Sequence, residues 1–154
     1  MKNLINVNVF LCEKYDEDKK NVINIFNKVK AGNNHRASFT IFTMIGSRGV
    51  EECNNGIFAL HFYLTKNSDD GKIGLYVGSI SASFCDESSE GAAYELIKGL
   101  DMKEVPFIEE GEYTVEVYFS DEIVQGSFEE LKERRKEITK DDNLMTRYTF
   151  EVVF

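Results

Sequence analysis

Glu112-Tyr113-Thr114-Val115-Glu116-Val117-Tyr118-Phe119-Ser120 is the stretch whose reading decides the fold class. Tyr113, Val115, Val117 and Phe119 recur at every second position, with Thr114, Glu116 and Tyr118 between them. A period of two sends alternate side chains to opposite faces, so this is a strand with one apolar and one more polar face. The same period returns on both sides of it. Phe58, Leu60, Phe62 and Leu64 form a strict apolar face, with Ala59, His61 and Tyr63 on the other. Ser68-Asp69-Asp70-Gly71 then reads as a hairpin turn, because the Asp-Gly pair tolerates positive φ. Ile73 to Phe84 is the returning strand, with Gly74, Gly78 and several serines thinning one face.

Toward the start of the chain, Ile5, Val7, Val9 and Leu11 alternate with Asn6, Asn8, Phe10 and Cys12. The acidic and lysine-rich residues Glu13 to Lys20 read as a loop, and Asn21 to Val29 as a strand before a turn at Gly32-Asn33-Asn34. Ser38 to Ile45 is rich in β-branched and aromatic residues, and Gly46-Ser47-Arg48-Gly49 is expected to break it. Ala92 to Lys98 reads as a strand followed by an irregular link through Gly99 and Pro106, Ile123-Val124 as a short partner, and Arg147 to Phe154 as the last strand. About eight or nine strands without intervening helices mean a sandwich or a barrel. The fold is expected to be mainly β, an antiparallel two-sheet sandwich of immunoglobulin-like or C2-like type, forming one domain over the 154 residues.

One segment breaks the period. Ser127-Phe128-Glu129-Glu130 has the S-x-x-E form of a capping box, and helix formers follow from Leu131 to Lys140. Phe128, Leu131, Arg135 and Ile138 share one face at helical spacing. A short helical insertion over about 127–143 is therefore expected before the last strand, either capping one end of the sandwich or acting as a recognition element.

The formal net charge of −9 disfavours a nucleic-acid role, since an acidic chain releases no phosphate counterions, and it disfavours anionic membrane surfaces. A basic protein partner or Ca²⁺ stays compatible with it. Cys12, Cys53 and Cys85 are odd in number and form no C-x-x-C pair, which excludes a zinc knuckle and fits a reducing compartment. With no signal-peptide pattern at the N-terminus and no long apolar span, the expected location is cytoplasmic.

Catalysis needs a poised group, and the motifs for one are missing. There is no H-E-x-x-H, G-x-S-x-G or phosphate-cradling glycine loop. His35, in a turn-rich stretch, and His61, on the more polar face of its strand, each read as satisfied or solvated. Carboxylates beside Cys53 and Cys85 blunt those thiols. No enzyme and no cofactor are expected. Acidic pairs are the recurring polar theme, and the candidate binding residues are Asp16, Asp18, Asp69, Asp70, Asp86 and Glu87. Loops gather at the ends of a sandwich, so several could converge on Ca²⁺ as hard oxygen ligands.

Asn8 to Phe26, reading N-V-F-L-C-E-K-Y-D-E-D-K-K-N-V-I-N-I-F, resembles the opening of the uncharacterised bacterial DUF6941-type domains. Val105-Pro106-Phe107 leading into Glu110-Gly111-Glu112-Tyr113 is similar to a later passage of that family. The chain departs from the pattern in the insertion at 127–143, and the family implies a fold without a settled activity. Glu109-x-Gly111-x-Tyr113 is also similar to the tyrosine corner of immunoglobulin-like sandwiches, where a Tyr hydroxyl bonds back to upstream backbone at a crossing between sheets. The expected function is a non-enzymatic protein-interaction domain. The alternative is a small-ligand, carbohydrate or Ca²⁺-binding module using aromatics on an exposed face, Tyr63, Tyr76 and Tyr118. Self-association through the terminal Val152-Val153-Phe154 stands beside both.

Overall fold

The computed structural model describes residues 2–47, 57–69, 71–83, 95–121 and 127–154, and Asp70, Asp86, Glu87, Cys53, Cys85 and the stretch Ile123-Val124 lie outside them. Among the described residues there are nine strands: β1 (Ile5–Asp16), β2 (Asn21–Phe26), β3 (Lys28–Lys30), β4 (Arg36–Ser47), β5 (Ile57–Ser68), β6 (Gly71–Ser83), β7 (Glu95–Pro106), β8 (Gly111–Ser120) and β9 (Leu144–Val153). They form two sheets, β2-β1-β4-β7 and β3-β9-β8-β5-β6, and one helix, α1 (Phe128–Ile138), precedes β9. The expected two-sheet sandwich with a late helical insertion is the architecture observed. No helix among the described residues is long and apolar enough to cross a membrane.

Between the sheets lies the apolar set that the period of two points inward. Leu11, Ile41 and Ile45 from the four-stranded sheet meet Phe58, Leu60, Phe62, Val115, Val117 and Val152 from the five-stranded one, all essentially without solvent contact. Each such side chain contributes about 1.5–3 kcal/mol of burial free energy, and together they set the register.

Several boundaries differ from the sequence reading, each for a physical reason. β1 runs on through Asp16, where Glu13 to Lys20 was expected to be a loop, because Lys14, Tyr15 and Asp16 still pair with Ile23, Val22 and Asn21 of β2. That end of the β1–β2 hairpin carries little apolar material, so its ladder leaves no hydrophobic signature. β4 continues through Gly46 and Ser47, which pair with Asn6 and Ile5. Asn21 to Val29 is two strands, since the chain changes sheets at Asn27 and β3 pairs with β9 in parallel. β7 passes straight through Gly99 to Pro106. A Cβ on Gly99 would stand 3.3 Å from both Tyr15 Cβ and Thr40 Cγ2, so glycine lets the strand run close beneath them. Pro106 is tolerated because β7 is an edge strand and ends there.

The crossing from β7 to β8 is pinned as a tyrosine corner would pin it. Tyr113 Oη donates to the Glu109 carbonyl at 2.8 Å, and the Tyr113 ring meets Phe107 edge-on at 5.1 Å. The terminal Val152 and Val153 are already paired with Val29 and Lys30 of β3, so this edge of the sheet is occupied.

Candidate functional site

The second face of the five-stranded sheet, away from the sandwich core, holds the site. His61, Tyr63 and Thr65 of β5 stand opposite Tyr118, Glu116 and Thr114 of β8. Strict alternation would send Tyr76 of β6 inward, on the parity of the buried Ile80 and Ala82. A bulge intervenes: Phe62 pairs with Gly78 but Tyr63 pairs with Tyr76, leaving Val77 as the extra residue. One inserted residue turns the rest of the strand over, and Tyr76 joins Tyr63 on the outer face. Gly78 permits the bend at φ +154°, where a Cβ would press 3.2 Å from Leu100 Cδ2. A matching irregularity lies across the sheet, where Val117 pairs with Thr146 but Tyr118 with Leu144.

Helix α1 lies over this face, which corrects the expectation that it caps an end. Ser127 accepts from Glu130 N at 3.4 Å, so the predicted cap forms. Ile138 packs on Tyr63 and Tyr118, and Arg135 Nη2 donates to the Gly74 carbonyl at 2.9 Å. The Arg135 guanidinium sits 5.2 Å over the Tyr63 ring, a cation–π contact. Gly74 has no side chain to obstruct it, since a Cβ there would fall 2.6 Å from Arg135 Nη2.

Between helix and sheet a cavity of about 160 Å³ opens, walled by Tyr63, Tyr76, Leu75 and Ile138, with His61 on its wall and Lys132 and Arg135 on the helix side. The three tyrosines named from the sequence do meet. Tyr63 lies 5.2 Å from Tyr76 at 60° and 5.7 Å from Tyr118 at 85°. They do not form an exposed platform, however, because Tyr63 and Tyr118 are buried and only Tyr76 is half-buried. Burial pushes the Tyr63 hydroxyl up to about 12, with Arg135 opposing the shift.

Two buried polar groups on this face differ sharply. Glu116 is 1 % exposed and accepts from Tyr118 Oη at 2.8 Å and Arg147 Nε at 3.3 Å, while Lys72 Nζ caps its other oxygen. Burial alone would raise its carboxyl, but Lys72 and the hydrogen bond from Tyr118 outweigh it and hold the group below its ordinary value. Tyr118 is pushed up by burial and by the carboxylate it serves. His61 is equally buried at 1 %, yet neither Nδ1 nor Nε2 has a hydrogen-bond partner. Burial lowers its pKa, so the ring is neutral at pH 7, with one donor and one acceptor both unused. Among the described residues no other side chain or backbone group satisfies the ring, so the protein itself does not meet the first half of the expectation of a satisfied or solvated histidine. The helix buries a position whose strand period marks it as outward, and supplies nothing for the ring to bond.

Of the acidic residues named from the sequence, the described ones, Asp16, Asp18 and Asp69, lie in two separate turns. Asp16 Oδ1 accepts from the backbone N–H groups of Asp18 and Lys19, which is turn chemistry. Asp18 is an exposed residue of that turn, and Asp69 lies in the β5–β6 turn. Among the described residues no three His, Cys, Asp or Glu side chains are grouped to hold a metal ion. Cys12 is buried, and burial followed by Asp101 pushes its thiol pKa up, as expected of an unreactive thiol.

No family model matches the chain, and no curated protein matches it in sequence. Solved structures do share its shape. A mutant β-glucosidase from Listeria innocua in complex with laminaribiose aligns at TM-score 0.51 and 10% identity, over 97% of this chain and 16% of that one. The same organism's β-glucosidase with isofagomine aligns at TM-score 0.50 and 10% identity, over 96% and 16% of the two chains. The alkylpurine DNA glycosylase AlkC of Pseudomonas fluorescens, bound to DNA, aligns at 0.45 and 8% identity, over 98% and 31%. This chain therefore spans less than a third of the length of each of these structures. At such identities the likeness to the β-glucosidase is one of fold alone.

Proposed function

We propose that the domain is a binding module for a small organic ligand, held in the cavity between α1 and the outer face of the five-stranded sheet. The observation that carries this reading is His61, buried with both ring nitrogens unpartnered on the cavity wall. A buried polar group left without a partner costs about 1–3 kcal/mol, and a ligand that bonds it recovers that cost. Carbohydrate suits the cavity poorly, since a hexose would bury several hydroxyls against walls that are largely aromatic and aliphatic. The test is a thermal-shift series with phenol, benzyl alcohol and cyclohexanol on the wild type and on His61→Phe. A rise in Tm with at least one compound in the wild type, absent in the variant, supports the reading. No rise with any of them rejects it.

A protein-interaction role is a second reading, favoured by β2. This edge strand exposes Ile23 at 37 % and Ile25 at 63 % beside an unpaired backbone edge. Strand addition of a basic, extended peptide would cover both, consistent with the chain's net charge of −9. Ile25→Lys would then abolish capture of such a peptide and leave the cavity untouched.

A further inference from the structure

We infer that the ligand of this cavity is a ring-sized organic anion: a six-membered ring carrying a hydroxyl or carbonyl toward His61 and a carboxylate or phosphate toward Arg135 and Lys132. The inference rests on the binding-module reading above and adds the ligand's chemical class.

Three features of the cavity carry it. Its volume, about 160 Å³, admits one ring and its substituents and little more, a cavity of roughly 150 Å³ being enough for benzene. Its walls suit a ring, because the half-buried Tyr76 together with Leu75 and Ile138 gives it aromatic and aliphatic contact. Its charge is opposite to that of the molecule. The chain carries 27 acidic and 18 basic side chains, yet among the described residues the charged ones lining the cavity are Lys132 and Arg135. Neither joins a carboxylate in an ion pair among the described residues, and Arg135 spends one N–H on the Gly74 carbonyl and keeps others free. The nearby carboxylate of Glu116, on the far side of the Tyr63 pair, is already neutralised by Lys72 and Arg147. An acidic protein that keeps two unpaired cations beside an apolar cavity is built to draw in an anion.

His61 sets the other end. A neutral imidazole offers one donor and one acceptor, so a hydroxyl satisfies it either way and a carbonyl satisfies its N–H. A second carboxylate there would be placed in the driest part of the site against a ring that burial keeps uncharged. The anionic head therefore belongs on the helix side.

The experiment is isothermal titration at pH 7.5 with 4-hydroxybenzoate and its neutral analogue 4-hydroxybenzyl alcohol, followed by inorganic phosphate alone. The acid is expected to bind about tenfold more tightly than the alcohol, the value of one charge-assisted pair. Arg135→Gln should erase that preference while alcohol binding persists. Because Arg135 also ties the helix to β6, Lys132→Gln is the second variant: it is exposed, leaves the helix contacts intact, and should narrow the preference and its salt dependence. Equal binding of acid and alcohol overturns the anion inference and leaves the binding-module reading standing. Phosphate binding as tightly as the acid overturns the ring requirement. Failure of every compound, with no difference between wild type and His61→Phe, overturns both.

Discussion

At the centre of the five-stranded sheet, on β5 and β8, both faces are buried, and they are built from opposite chemistry. On the inner face Leu60, Phe62, Val115 and Val117 meet the facing sheet with almost no solvent contact. On the outer face His61, Tyr63, Glu116 and Tyr118 are as deeply buried, beneath α1 and each other. Apolar groups need only be packed, and the inner face is complete once the sheets meet. Polar groups must also be bonded, and here the outer face divides. Glu116 accepts hydrogen bonds from Tyr118 and Arg147 on one oxygen and meets the Lys72 ammonium as an ion pair on the other, whereas His61 has neither kind of partner. A bonded buried polar residue and an unbonded one thereby lie on neighbouring strands of one sheet, and the ligand proposed above is the partner we assign to the second.

The largest effect expected tests the inner face. Phe62→Ala should cost about 3–5 kcal/mol in urea unfolding, the cost of an apolar cavity in a closed core. A cost under about 1 kcal/mol would show that the two sheets are not held by this packing.

Next comes the satisfied polar group. Glu116→Ala removes the partner of the Tyr118 hydroxyl, while Lys72 and Arg147 are half-exposed and can turn to water. A loss of about 2 kcal/mol is expected, less than for a fully enclosed ion pair. A neutral outcome would place Glu116 with His61 rather than opposite it.

His61→Phe should move the other way. Replacing an unbonded buried ring by an apolar one of similar size should stabilise the ligand-free domain by about 1 kcal/mol, raising Tm by roughly 2–4 °C. Destabilisation by this variant would mean that His61 is structural.

A finer distinction lies in pH. Burial lowers the His61 pKa below its ordinary 6.5, so between that value and the folded pKa the unfolded state binds the extra proton. Stability must therefore fall as pH drops below 6.5, as protonation would place a charge among Tyr63, Tyr76 and Tyr118 near Arg135 and Lys132. The Glu116 carboxyl is held below its ordinary 4.5, so its contribution is fully present above that value and is lost as pH falls from it through the lower folded value. Two steps are expected in a stability–pH profile, and His61→Phe should remove only the upper one.

The smallest effect is at the helix cap. Ser127→Ala should cost about 0.5–1 kcal/mol, read as faster hydrogen exchange in α1 with the inner-face strands unchanged.

Much of this protein follows from local sequence. The alternation in β1, β4, β5 and β8, the turn residues between β5 and β6, the Ser127 cap and the Tyr113 bond to Glu109 are all properties of residues a few positions apart. Period, φ preference and capping act over that range, so a reader of the chain sees them. What lay beyond it was decided by long-range contact. The change of sheet at Asn27 depends on β9, more than a hundred residues away, and the bulge at Val77 depends on Gly78 meeting Leu100. Tyr76 has no local mark that it faces outward, and His61 none that a helix some seventy residues later would close over it. Alternation states which side of a strand a residue occupies. Only the tertiary structure states whether that side is wet, because burial is a property of what comes to lie above it.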